Sequence, residues 1–235
     1  MVLPAKDFKY PSKEERENAC ANYPKIKNFG FEQKTGFEFI EDVAESIKEN
    51  NVSHNLYWWD NCLTNRLGKL HETYVYLHTH YHRGFEEDIL KCNKTQAVNK
   101  LQFQYYTEVF YYFYVSTKDI IYQIINLYNK NDLPEDNVTS RNLKSKLMQS
   151  SLIREELIQF EDKINSFLKN RNAFAHRFTP SLPDYKTEYR DKTIEFKSGE
   201  FLNDKDIFLE INLSLSALRQ FIEKLKKCFL ENKNH

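Results

Sequence analysis

An arginine and a histidine five residues apart, Arg171 and His176, stand in the stretch Asn170-Arg171-Asn172-Ala173-Phe174-Ala175-His176-Arg177. They are the residue types that chemistry on a phosphodiester needs. An imidazole gains and loses a proton near neutral pH, and a planar guanidinium fork matches the oxygens of a phosphate. The spacing alone is a weak signal, because Arg66 and His71 repeat it. Context separates the two. Arg66 is followed by Leu67, whereas Arg171 is followed by the amide of Asn172, and the small Ala175 stands just before His176. A purely structural alternative is a helix C-terminal cap, in which positive groups meet the macrodipole and the free carbonyls.

The pattern Arg-Asn-x-x-Ala-His near a helix end resembles the motif of the HEPN superfamily. The resemblance implies a mostly helical fold and a metal-independent ribonuclease, a toxin or an anti-phage defence effector, with Arg171, Asn172 and His176 as its catalytic residues and no cofactor. It also implies a homodimer, since one imidazole cannot readily take the proton of a ribose 2′-hydroxyl and give one to the leaving 5′-oxygen at once. Two copies would bring two sets of Arg171 and His176 into one cleft, leaving a 2′,3′-cyclic phosphate and a 5′-hydroxyl end. RNA is the expected partner, with a protein antitoxin as a further one. Two departures stand out. Phe178 occupies the place where some members carry a tyrosine that a partner nucleotidyltransferase modifies, and Arg177 replaces a small residue. The first argues against regulation by a modified tyrosine. The competing hypothesis is a non-catalytic helical module that binds RNA or a protein.

Helical geometry adds detail. At about 100° per residue, Arg171 shares a face with Ile164, Phe167, Leu168 and Ala175, an apolar seam on which an arginine needs a partner or a second molecule. That is the sequence's own argument for a dimer. His176 falls with Asn165, Lys169 and Asn172, so Asn172, four residues before it, is expected to hold its ring. From Lys163 to Leu182 the basic residues Lys163, Lys169, Arg171 and Arg177 meet no acid. Lys163, Lys169 and Arg177 are therefore the expected RNA-binding residues.

Other candidates carry less. His71, His78 and His82 lie on one helical face and offer an alternative metal site, but His71-Glu72 does not continue into H-E-x-x-H, and a solvated or nucleic-acid-facing histidine strip is the favoured reading. The aromatic run from Tyr105 to Tyr114 could stack bases, although it lacks interleaved lysine or arginine, which favours core or dimer packing. Of Trp58 and Trp59, the second is expected in the core and the first at a contact surface. Cys20, Cys62, Cys92 and Cys228 form no C-x-x-C pair, which argues against a disulfide framework or a structural zinc.

The composition limits the classes further. Thirty-four basic residues balance 34 acidic ones, so any nucleic-acid site must be local. Only five glycines are present, with no G-x-G-x-x-G or Walker sequence, which excludes the common nucleotide-binding folds. The polar start, Met1 to Arg16, predicts no signal peptide. No stretch reaches the roughly 18 uncharged apolar residues of a membrane span, and a cytoplasmic protein without membrane partners is expected.

The elements that must position the motif follow from periodicity. Residues 1–35 read as an irregular N-terminal segment, and 36–235 as a single helical domain with a β insertion at 184–211. Phe37, Ile40, Ala44 and Ile47 predict a short helix. Ser53 is the expected N-cap of a long second helix carrying Leu56, Trp59, Leu63, Leu67, Leu70, Tyr74, Leu77 and Tyr81, with Gly84 as its stop. A third helix is expected from about Thr95 to Asn129, a loop at Asn131 to Asn137, a short helix near Arg141 to Met148, and the motif helix from about Ser151 to Ala175. Alternation around Arg190-Asp191-Lys192 predicts a β-hairpin, with Phe208 to Ile211 as a third strand and a last helix from about Ser214 to Asn232. The whole reads as a mainly α, up-and-down bundle of four to five long helices with a small β-hairpin insertion before the last.

Overall fold

The computed structural model describes residues 7–33, 46–176, 185–198 and 202–231. The chain is mainly helical, with one two-stranded antiparallel hairpin before its last helix. Helix α1 spans Lys13–Asn22, α2 Ser46–Arg83, α3 Lys94–Tyr128, α4 Ser140–Lys146, α5 Leu152–Lys163, α6 Asn165–His176 and α7 Asp204–Glu231, with β1 at Tyr185–Arg190 and β2 at Thr193–Ser198. No helix among the described residues is long and apolar enough to cross a membrane.

Helix α1 corrects the expectation of an irregular start. The Glu15 amide donates to Ser12 Oγ at 3.2 Å and the Ser12 amide donates back to Glu15 Oε2 at 2.7 Å, a capping box that satisfies two otherwise orphaned donors. Because α1 buries only Ala19, it has no apolar stripe for periodicity to find. Its one sequence signal is the Ser-x-x-Glu itself.

Ser53 is a second correction, since it lies inside α2 rather than at its start. No glycine or proline occurs between Ser46 and Leu67, so nothing there stops a helix from running through. The short helix expected around Phe37, Ile40 and Ala44 falls outside the described residues, and Ile47 lies within α2. At the far end Gly84 stops α2 as expected. Its φ of 81° is a left-handed conformation that only glycine adopts cheaply, and its N–H donates to the Tyr81 carbonyl at 3.1 Å. Helix α3 opens on another reciprocal cap between Asn93 and Gln96, with both bonds at 3.0 Å.

The expected single motif helix is interrupted at Ile164, leaving α5 and α6. Asn165 and Ser166, whose short polar side chains compete for backbone groups, begin the second piece. The hairpin forms in the expected place, with Arg190 paired to Thr193 across Asp191 and Lys192, both at positive φ. The third strand does not exist. Residues 208–211 belong to α7, which begins ten residues before the expected Ser214, because Ile207, Ile211, Leu215 and Leu218 recur at helical spacing and are all buried.

The residues divide into two compact units whose boundaries fall inside α2, α3 and α7: Met1–Pro24, His71–Tyr112 and Ile164–Ser216 form the first, and Lys25–Leu70, Phe113–Lys163 and Ala217–His235 the second. The first has its core on Tyr74, Leu77, Phe103, Phe110, Tyr111, Phe167 and Ile211. Among its described residues a buried ion pair joins Lys100 to Asp204 in the first turn of α7. The second unit is built on Leu63, Leu70, Tyr114, Ile121, Leu157, Phe160 and Leu225, with the Phe160 and Phe221 rings stacked at 4.2 Å. In it the buried Asp60 carboxylate collects the amides of Phe29, Gly30 and Phe31 and the side chain of Asn28, which fixes that connection to α2. Trp59 is half-buried rather than in the core, and Trp58 is 51% exposed.

Candidate active site at the end of the motif helix

The first half of α6 is anchored and the second half opens outward. Phe167 is buried against the rings of Tyr111, at 4.5 Å, and Phe110, at 6.2 Å. On the neighbouring face Ser166 Oγ donates to Glu210 Oε1 at 2.9 Å, and Asn170 Nδ2 reaches both Glu210 oxygens at 2.8 and 3.0 Å. The Tyr111 hydroxyl donates to Glu210 Oε2 at 2.8 Å. One carboxylate of α7 thus ties α6 to α3. Burial, reinforced by the Glu210 charge, pushes the Tyr111 hydroxyl far above its ordinary range, so it stays a donor.

Beyond Asn170 the apolar seam surfaces. Arg171 and Phe174 are half-buried and Ala175 is exposed. Together with Glu108, Tyr111 and Tyr112 of α3 they line a surface pocket of about 200 Å³. Phe174 leans on Tyr111 with ring centres 5.1 Å apart, while Tyr112 is 58% exposed at the rim. Arg171 Nη1 donates to Asn172 Oδ1 at 3.1 Å, and no carboxylate bonds Arg171 among the described residues. A guanidinium with most of its five donors unspent among the described residues, in an open pocket walled by rings, is suited to receive an anion. His176 is the last residue of α6, about 140° around the axis and about 7.5 Å along it from Arg171 by helical geometry.

The remaining expected residues separate. The bond foreseen from Asn172 to His176 concerns the His176 side chain, which lies outside the description, and Asn172 is instead turned to Arg171. Lys169 is exposed on α6. Lys163 precedes the break at Ile164 and belongs to the second unit, where its Nζ donates to Gln220 Oε1 at 3.0 Å. Arg177 and Phe178 fall outside the described residues.

The second arginine and histidine pair has packing roles. Arg66 sits over the Phe113 ring at 5.9 Å, and His71 lies 3.4 Å from Cys20 Sγ with its ring 4.7 Å from that of Tyr23. The histidine strip is solvated only in part, with His78 buried, His71 half-buried and His82 exposed. His78 and His80 are each 2% exposed, and burial, with His82 beside it, holds His78 down at about 4. Burial likewise lowers His80 and His82. Apolar neighbours such as Phe208, 5.8 Å from His78, make neutral rings the better-solvated state there. Among the described residues no three His, Cys, Asp or Glu side chains gather so that they could hold a metal ion, which applies also to His71, His78 and His82.

The aromatic run of α3 divides by face. Phe103, Phe110, Tyr111 and Tyr114 are core, as packing predicted, but Tyr105 and Tyr112 are more than half exposed. Sequence reasoning missed Glu108 and the Glu210 cluster. Ser166 and Asn170, four apart, give the only local hint of that cluster, for the carboxylate they share lies 40 residues beyond Asn170.

A family model described as HEPN_Cthe2314-like HEPN matches residues 59–232, from α2 through α7 and including the whole of α6. No curated protein and no solved structure matches the chain.

Proposed function

Since the chain belongs to the HEPN_Cthe2314-like HEPN family, we propose that it is a metal-independent endoribonuclease that works as a homodimer in the cytoplasm. Its role is that of a toxin or an anti-phage defence effector, held in check by a protein antitoxin. The observation that carries the reading is Arg171, a half-buried guanidinium in an open pocket whose one described bond is to the amide of Asn172.

In the reaction His176 of one protomer takes the proton of a ribose 2′-hydroxyl. The 2′-oxygen forms a bond to phosphorus, the bond from phosphorus to the 5′-oxygen breaks, and that oxygen leaves with a proton from the second protomer's His176. Arg171 binds the non-bridging oxygens, on which negative charge grows in the phosphorane. The products are a 2′,3′-cyclic phosphate and a 5′-hydroxyl. Lys169 and Arg177, beside the motif in sequence, supply charge for the flanking phosphates. The exposed Tyr112 extends the apolar surface beside Arg171, which supports pairing of two copies through α6 and α3.

The test is incubation with single-stranded RNA in EDTA, with the ends of the products identified and the oligomeric state read by light scattering. Cyclic phosphate ends produced by a dimer in chelator are expected. A monomer that does not dimerise with RNA, or cleavage lost to chelator and restored by Zn²⁺, overturns the mechanism. RNA binding without cleavage, unchanged by His176→Ala, would leave the non-catalytic binding module.

A further inference from the structure

The N-terminal segment, which lies before the family-matched region, closes a second pocket in the first unit against α2 and α3. It encloses about 380 Å³. Four rings wall it: Phe8 and Tyr10 from the segment, Tyr76 from α2 and Tyr106 from α3. Tyr76 and Tyr106 are stacked with centres 4.6 Å apart at 24°, and Tyr10 meets Tyr76 edge-on at 6.4 Å. Behind them the buried His80 ring lies parallel to Tyr106 at 7°, with Nδ1 3.2 Å from Asn99 Oδ1. Tyr10 is nonetheless 81% exposed, so one ring of the wall stands with a face open.

This wall is held in place. Arg83, the last residue of α2, donates Nε and Nη2 to the Glu15 carboxylate at 2.7 and 2.8 Å, Nη1 to the Lys9 carbonyl at 2.9 Å and Nη2 to the Tyr10 carbonyl at 3.0 Å. Asp7 is paired with Lys94 at 2.7 Å. Five bonds therefore fix residues 7–15 against the ends of two helices. Besides the phenol hydroxyls and the His80 ring, the polar groups at the pocket are the Gln102 amide, for which the described residues supply no hydrogen-bond partner, and the Lys9 ammonium, which no described carboxylate pairs. No acid lines it. Rings without an acid, next to a lysine, disfavour a cationic guest and suit a planar, anionic one. A primary amide offers one donor and one acceptor to the edge of such a guest.

We propose that this pocket binds a nucleotide, its base stacked on the open face of Tyr10 beside the Tyr76 and Tyr106 pair and read by Gln102, its phosphate met by Lys9. The base comes either from a free mononucleotide or from an unpaired position of an RNA strand; the chemistry of the site is the same for both. It is separate from the Arg171 pocket and does not depend on cleavage there.

Calorimetric titration of the full chain tests it with three probes: the four ribonucleoside 5′-monophosphates, the corresponding uncharged nucleosides, and a 2′-O-methyl RNA pentamer that lacks the attacking hydroxyl. Saturable binding of at least one nucleotide or of the pentamer is expected, weakened on the order of tenfold by Tyr10→Ala, the loss of one stacking contact, and similarly by Gln102→Ala. Lys9→Ala removes the preference for nucleotide over nucleoside. Binding of mononucleotides identifies a free ligand, and binding of the pentamer alone identifies a strand. Tyr10 and Gln102 carry no part of the core, so unchanged melting temperatures keep the variants interpretable. The proposal fails if neither nucleotide nor pentamer saturates the protein, if both variants bind as tightly as the parent chain, or if tetramethylammonium displaces the nucleotide. Because none of these readouts uses cleavage, loss of the ribonuclease reading leaves the result intact.

Discussion

Arg83 ends α2 and Arg171 lies in the second half of α6, five residues before its end, in the same unit, and the two are used in opposite ways. Arg83 spends its donors on Glu15 and on two backbone carbonyls, and its side chain is 21% exposed. Among the described residues Arg171 spends one donor, on a neighbouring amide, and it lines an open pocket. A guanidinium whose hydrogen bonds are filled fastens chain to chain, whereas one with donors left over in an open pocket can receive a ligand. Residue type is the same in the two cases. The supply of acceptors is what distinguishes a fastener from a site.

The largest expected effect lies on the unfilled side. Arg171→Ala and His176→Ala should each lower RNA cleavage on the order of 10² or more, the range for losing a charge stabiliser or a positioned proton carrier. His71→Ala, which disrupts the other five-residue spacing, should stay near the parent rate. Equal rates in all three would break the comparison, since Arg171 would then be idle rather than available. Arg171→Ala should also change the stability of the isolated chain by no more than about 0.5 kcal/mol, as for other surface sites.

Arg83→Ala is the complementary change. It leaves the Glu15 carboxylate and two carbonyls short of a donor and should cost about 2 kcal/mol in urea unfolding, as for charge-assisted hydrogen bonds. Arg83→Lys should recover only part, because an ammonium cannot present a fork. A full recovery would reduce the fastener to a point charge.

The smallest effect is one of pH. The hydrogen bond from Arg83, with the Ser12 amide adding to it, holds Glu15 down at about 2 against an ordinary 4.5. A carboxyl lowered by folding stabilises the fold above its unfolded value, and the contribution disappears as pH falls from about 4.5 toward 2. The urea midpoint should therefore drop over that window in the parent chain, with a shallower fall in Glu15→Gln. Parallel acid profiles would show that the pair is not felt in the folded state.

The sequence disclosed what is periodic or local. The stripe from Leu56 to Leu77, the glycine stop at Gly84, the 35-residue helix α3 and the two-residue hairpin turn all announce themselves within a few neighbours. The motif likewise singled out Arg171 from spacing and flanking residues. What stayed hidden depends on partners far along the chain. Glu15 and Arg83 are 68 residues apart, Tyr111 and Glu210 are 99 apart, and neither pair leaves a trace in local composition. Ser53 misled for the converse reason. A serine has the right chemistry for a cap anywhere, but it caps only where the backbone leaves the helix, and nothing nearby forces α2 to do so. The burial of His78 and His80 was equally non-local, set in part by Phe208 and Asn99 on other helices.

The carboxylate of Glu210 receives Tyr111, Ser166 and Asn170 together. Shared ownership of one acceptor constrains how this chain can diverge. A relative that loses the acid strands three donors at once, and one that loses a single donor leaves the other two in place, so positions 111, 166, 170 and 210 should change in concert and not one by one. The immediate neighbour, Arg171, takes no part in that agreement. Selection can thus alter what the pocket receives while the helix that presents it stays where it is.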